Sequence, residues 1–157
     1  MLRQLSKSLA IALPLLASCQ PAAASMLQQE DRQFICLAYN VFKEARSEDF
    51  RGRLAVAHVT LNRVGVGNYG NSICEVVHKS GAFSWTGSSQ DSRTRLQDLQ
   101  AWEAIKVVAR IAMEDRDGDP TGGAVAFHSR GVRPHWVCCY RRTTIIGAHI
   151  FYSPVNT

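Results

Sequence analysis

At 157 residues the chain has room for one domain around one core, because single domains cluster near ~100–150 residues. Its 46% hydrophobic and 20% charged residues are those of an ordinary globular protein, and the lack of low-complexity tracts or internal repeats excludes a disordered chain or a repeat array. The formal charge of +5 favours polyanionic partners, yet no block of like charge and no nucleic-acid motif is present, so no nucleic acid is expected among them.

Residues 1–24 read as a secretory signal peptide. Arg3 and Lys7 precede an apolar run, Leu9 to Ala17, too short to span a bilayer, which takes ~20 residues. Ala22 and Ala24 supply an A-x-A site for ordinary signal peptidase, whereas Leu16-Ala17-Ser18-Cys19 resembles a lipobox that would place a lipid anchor on Cys19. Either route makes the protein an exported one, of the periplasm or cell envelope. Loss of the leader leaves 16 Lys and Arg against 13 Asp and Glu, a formal charge of +3.

The mature part, residues 30–154, begins with a predicted helix from Asp31 to Arg46. Its stripe of Phe34, Ile35, Ala38, Val41, Phe42 and Ala45 has the three-and-four spacing of an amphipathic helix. Glu44 falls on the border of that stripe, beside Leu37 and Val41. A second helix, Phe50 to Val64, is apolar nearly all round and reads as buried in the domain centre. After the turn GVGNYGN, Ser72 and Glu75 have capping-box spacing before a short helix. The loop SGAFSWTGSSQDS carries aromatics suited to a groove. A long helix from Leu96 to Glu114 follows, with a stripe of Leu99, Trp102, Ile105, Ala109 and Ala112 or Met113, stopped by Gly118 and Pro120. VAFHS and TTIIGAHIFY have the β-branched and aromatic content of strands. Helices first and a small antiparallel sheet last make an α+β domain rather than a parallel βαβ one.

Beyond the leader stand Cys36, Cys74, Cys138 and Cys139, an even number in a chain addressed to an oxidising compartment, so disulfides are expected. Neighbouring cysteines rarely pair with each other. At least one bond is therefore expected to join Cys36 or Cys74 to Cys138 or Cys139.

The segment EARSE sets Glu44 and Glu48 at (i, i+4), one helical turn apart. A general acid working near neutrality needs a raised pKa, which partial burial and a like charge at Glu48 would both supply. The plainer reading of this segment by itself is a solvated helix end.

CLAYNVFKEARSE, RLAVAHVTLNRV, ICEVVHKSGAFSW, DPTGGAVAFHS and IGAHIFY occur in one order, and together they resemble the successive motifs of the SleB family of cell wall hydrolases, over about residues 34 to 152. The resemblance implies a lysozyme-like α+β domain that cleaves the MurNAc–GlcNAc linkage of peptidoglycan glycan strands, with the glutamate of EAR, here Glu44, as catalytic acid and without metal or organic cofactor. It further implies a lytic transglycosylase, in which the muramic C6 hydroxyl closes a 1,6-anhydro ring and no second carboxylate is required. The sequence departs from the family's usual residues at Ser47, Arg53 and His128, where substrate preference is affected more than the reaction.

Candidate substrate contacts are Phe83, Ser84 and Trp85, which can stack on and hydrogen-bond a sugar; Thr121, Gly122 and Gly123, whose turn can bring backbone amides to a glycan; and Phe127 and His149 of the strands. Trp85 is expected to matter more for glycan binding than for folding, and His58 to be a core histidine. Three rival functions compete with the transglycosylase. A hydrolytic muramidase would use Glu48 as second carboxylate. A zinc-dependent wall amidase would draw on His128, His135, Cys138, Cys139 and His149, whose spacing suits a tetrahedral site poorly. A non-catalytic wall-binding module would keep the groove without turnover. Asp115, Asp117 and Asp119 mimic the start of an EF-hand loop, but Pro120 and Ala126 stand where it needs Gly and Glu.

Overall fold

The computed structural model describes residues 21–87 and 96–155. Cys19, most of the leader and the end of the aromatic loop lie outside those residues. Four helices, α1 (Pro21–Ala45), α2 (Phe50–Arg63), α3 (Ile73–His78) and α4 (Leu96–Glu114), precede strands β1 (Ala126–Ser129), β2 (Tyr140–Ile146) and β3 (His149–Pro154). Short 3-10 turns occupy Ser84–Gly87 and His135–Cys139. The strands form one antiparallel sheet in the order β1-β3-β2. This is the α+β arrangement the sequence predicts, helices first and sheet last.

Local chemistry accounts for the helix ends. Asp49 caps α2, its Oδ1 accepting from the Gly52 N–H at 2.7 Å, and Ser72 caps α3 by accepting from the Glu75 N–H at 3.3 Å. Glu75 reaches back to the Asn71 N–H at 2.9 Å, a reciprocal arrangement that satisfies two otherwise orphaned donors. Asp115 accepts from the Gly118 N–H at 2.9 Å, just beyond the end of α4.

The interior α2 expected from its composition is observed, with Ala55 through Leu61 all buried. On one side it packs Val56, Ala57 and Leu61 against Leu37, Val41 and Ala45 of α1, Val76 and Val77 of α3, and Ile105, Ala109 and Ala112 of α4. On the other it sets Ala55 and Val59 against Ala124, Ile146 and Phe151 of the sheet end. Each of the larger side chains here, the valines, leucines, isoleucines and Phe151, contributes about 1.5–3 kcal/mol on full burial, which makes α2 the hub of the domain. His58 is buried here, as expected, and burial lowers its pKa.

Two stripe positions differ from expectation. Leu99 is 50% exposed and Ile35 48% exposed. The packed face of α4 starts at Ala101 and Trp102, so Leu99 stands one turn too early to reach it. On α1 the contact follows Phe34, Leu37, Ala38 and Val41, which turns Ile35 outward.

The cysteines also differ from expectation. Cys36 of α1 is bonded to Cys74 of α3, with Cα atoms 5.3 Å apart, and Cys138 and Cys139 are free, exposed thiols whose sulfurs lie 3.0 Å apart. The expected bond from Cys36 or Cys74 to Cys138 or Cys139 is absent, because cysteine count carries no distances. Packing of α3 on α1 brings Cys36 and Cys74 into disulfide range, while the neighbouring pair sits on a surface 3-10 turn.

Candidate active site

Glu44 lies in the last turn of α1. Its Oε1 is buried without a hydrogen-bond partner, and the carboxyl pKa is raised: burial disfavours the charged form and outweighs the attraction of the Arg63 guanidinium. A half-buried carboxyl of this kind keeps its proton into a range where an ordinary glutamate has lost it.

Arg63 ends α2 and is itself buried. Its Nε donates to the Val125 carbonyl at 2.6 Å and an Nη to the Ala82 carbonyl at 3.0 Å. The rings of Tyr69 and Phe83 stand 4.9 and 4.6 Å from the guanidinium, and burial together with the neighbouring Tyr140 raises the Tyr69 pKa. Val125 leads into β1 and Ala82 precedes the 3-10 turn, so one cation ties both segments to α2 beside the carboxyl. Burial pulls the Arg63 pKa down, opposed by Tyr69, Glu44 and Tyr140; the guanidinium stays charged at any working pH.

One turn before Glu44, Asn40 is fully buried. It donates to Thr60 Oγ1 at 2.9 Å and accepts from Trp85 Nε1 at 3.0 Å. This polar chain couples α1, α2 and the 3-10 turn at the level where the carboxyl emerges. Sequence reasoning missed Asn40, Arg63, Tyr69 and Tyr140. The signal for two of them was present: Asn40 is a polar residue inside an apolar stripe, and Arg63 a cation on an otherwise apolar helix.

Glu48 departs most from expectation. The helix ends at Ala45, and the Glu48 N–H donates to the Ala45 carbonyl at 3.0 Å in the turn that follows, so Glu44 and Glu48 do not share a helical face. Glu48 is not among the charges that shift Glu44. Its Oε2 accepts from the Ala148 N–H at 3.1 Å in the β2–β3 turn, and its Oε1 lies 4.0 Å from His149 Nδ1. Glycines make room for it. A Cβ on Gly52 would stand 2.8 Å from the Glu48 Cβ, and one on Gly147 would collide with its carboxylate.

The other expected site residues divide. Trp85 is half-buried, edge-on to Tyr39 at 5.2 Å between centroids and tied to Asn40, so it serves folding as well as any groove. Phe83 is buried, with its ring 4.6 Å from the Arg63 guanidinium. Ser84 is exposed. Thr121 is 1% exposed and donates to Asp119 Oδ1 at 2.6 Å, and the Gly123 N–H donates to Asp119 Oδ2 at 2.9 Å. Those groups satisfy a turn and are not free for a glycan. Gly122 and Gly123, with φ of 65° and 79°, give that turn its left-handed backbone. Asp119 also accepts from Asn62 at 2.9 Å; burial raises its pKa, but these hydrogen bonds outweigh it and hold the pKa low. Phe127 is half-buried with its ring 5.1 Å from that of His149. His149 is buried, and burial lowers its pKa against the pull of Glu48.

His128 bonds the Tyr152 hydroxyl at 2.9 Å, and among the described residues no three His, Cys, Asp or Glu side chains converge as metal ligands would.

The profile of a family described as Cell Wall Hydrolase matches residues 47–152; Glu44 lies three residues before the matched segment. A spore cortex-lytic enzyme of Bacillus cereus is 31% identical over 126 residues, covering 78% of this chain and 44% of that protein. The spore cortex-lytic enzyme of Oceanobacillus iheyensis is 31% identical over 126 residues, covering 78% and 41%. The chain thus spans less than half the length of these curated relatives. Among solved structures, the catalytic domain of the germination-specific lytic transglycosylase SleB from Bacillus anthracis matches with a TM-score of 0.62 at 29% identity, covering 80% of this chain and 95% of that one. The catalytic domain of Bacillus cereus SleB matches with a TM-score of 0.57 at 28% identity, covering 80% and 91%. The expected lysozyme-like α+β fold is thereby borne out.

Proposed function

This chain belongs to the cell wall hydrolase family, and from that premise we propose that it cleaves the MurNAc–GlcNAc bond of peptidoglycan glycan strands as a lytic transglycosylase with Glu44 as its single acid and base. The observation that carries the reading is a half-buried Glu44 carboxyl of raised pKa, its Oε1 without a hydrogen-bond partner, together with a Glu48 already committed to the hairpin turn. A hydrolytic pair needs its second carboxylate across the scissile bond from the first, and Glu48 is poorly placed to be free for that. The likeness to a solved lytic transglycosylase domain supports the same choice.

The protonated Glu44 gives its proton to the glycosidic oxygen as the muramic C1–O bond breaks. The resulting carboxylate is stabilised by Arg63, held in place by Val125 and Ala82. Glu44 then takes the proton of the muramic C6 hydroxyl as that oxygen bonds to C1, closing the 1,6-anhydro ring. The substrate supplies its own nucleophile, positioned intramolecularly, and no water enters the products. Residues 1–24 fit this role as an export signal, with residues 30–154 as the catalytic domain in the periplasm or cell envelope, either soluble or anchored through Cys19.

Glu44→Gln keeps the shape but cannot move a proton, and it should lose turnover by at least about 100-fold. Product mass spectrometry after digestion of purified peptidoglycan in 18O-water decides the reaction: 1,6-anhydro ends without label are expected. Labelled reducing ends would make the protein a muramidase, and wild-type clearing by Glu44→Gln would remove Glu44 from the mechanism.

A further inference from the structure

We propose that a cleft on the sheet face turned away from α2 binds the carboxylates of the peptide stem that the cleaved glycan strand carries. The inference rests on the peptidoglycan reading above. Arg130, Arg133 and Arg142 line one cavity of about 420 Å³ together with His128, Tyr140 and Tyr152. Strand register places it. Arg142 pairs with Tyr152 and His128 with Ile150, and side chains alternate along a strand, so this row lies opposite the face on which Phe151 packs toward Ala55 and Val59 of α2.

The charge in this cleft is uncompensated. Among the described residues no carboxylate lies within ion-pair distance of Arg130, Arg133 or Arg142, the three arginines that line this cleft. Arginine presents a planar fork matched to carboxylate oxygens. Val137 and Ile150 add an apolar wall for the aliphatic parts of a short peptide. Trp136, 5.7 Å from His128, 5.4 Å from Tyr152 and 5.5 Å from Tyr140 between ring centroids, props the aromatic side.

Tyr140 joins this cleft to the catalytic centre. It lines the cavity and neighbours Tyr69, whose ring lies 4.9 Å from the Arg63 guanidinium beside Glu44. The stem peptide is attached to the lactyl group of the muramic sugar whose C1–O bond breaks at Glu44, so its acidic groups travel with the scissile residue. A phosphate carried on the muramic C6 hydroxyl would block the ring closure proposed above, so the reacting sugar brings carboxylates and not phosphates to the cleft.

Two measurements on the full chain test this. Initial rates on peptide-bearing strands and on strands stripped of peptides should differ by about 10-fold in wild type, and the ratio should fall to near one in the Arg130→Gln/Arg142→Gln variant, whose two changes sit on exposed residues. In the Glu44→Gln background, titration with a soluble muropeptide should bind about 10-fold tighter than the same muropeptide amidated at its carboxylates, and the arginine changes should erase the difference. Equal rates on both strands in wild type, or a preference that survives the arginine changes, would overturn the proposal. Displacement by inorganic phosphate with no binding of the muropeptide would overturn it too, making the cleft a phosphate site. If wild type cleaves neither strand, the glycosidase reading fails, and the titration still decides the cleft by itself.

Discussion

Glu44 is a carboxyl whose environment works against its charge. Burial raises its pKa and the nearby Arg63 only partly restores the ordinary value. The folded chain therefore holds this proton more tightly than the unfolded chain does. That stabilisation is complete below the unfolded value of about 4.3 and is lost as pH rises through the raised folded value, beyond which the buried carboxylate is a net cost. Glu44→Gln should accordingly match wild type in urea midpoint at pH below about 4 and become the more stable protein as pH rises to neutrality. A gap that stays constant or reverses would mean that attraction to Arg63 outweighs burial. The same residue illustrates how far a motif reading reaches. Its border position on a helical stripe was visible from spacing, whereas Arg63, nineteen positions later and on another helix, became its neighbour only through packing.

At the scale of elements, the link between α1 and α2 and the β2–β3 turn form one unit. Asp49 caps α2 with extended backbone, φ −68° and ψ 179°, and a helix cannot run through such a residue, so Glu48 is released from α1 to reach the turn. Gly147 has φ 54°, a conformation that costs a residue with a side chain about 1–2 kcal/mol, and an added Cβ would also strike the Glu48 carboxylate. Gly147→Ala should thus destabilise by about 2–3 kcal/mol in denaturant unfolding. In a Glu48→Ala background the penalty should shrink to the backbone part alone, a coupling that a double-mutant cycle reads directly. Strict additivity would show that Glu48 and the turn do not depend on one another. The expectation of two carboxylates on one helical face failed here because (i, i+4) spacing has its meaning only inside a helix, and α1 stops at Ala45, before Glu48.

For the whole molecule, the Cys36–Cys74 bond closes a separation of 38 residues and ties α1, which carries Glu44, to α3. Loop-closure entropy gives such a cross-link about 4 kcal/mol, so reduction should lower the melting temperature by about 10 °C. Thiol labelling of denatured, unreduced protein should mark Cys138 and Cys139 and leave Cys36 and Cys74 protected until a reductant is added; labelling of Cys36 would remove this cross-link from the account. The fold class, the four helices and the strand segments followed from sequence alone, because apolar periodicity, caps and turn residues act over a few neighbours along the chain. The burial of α2 followed as well, since a helix apolar all round has no face for water. Disulfide partners, the Arg63 contacts at Val125 and Ala82, the diversion of Glu48 to Ala148 and the burial of Thr121 were decided only by tertiary structure. Each depends on a distance between residues far apart in the chain, and such distances are set by how helices and sheet pack together, which no local pattern encodes.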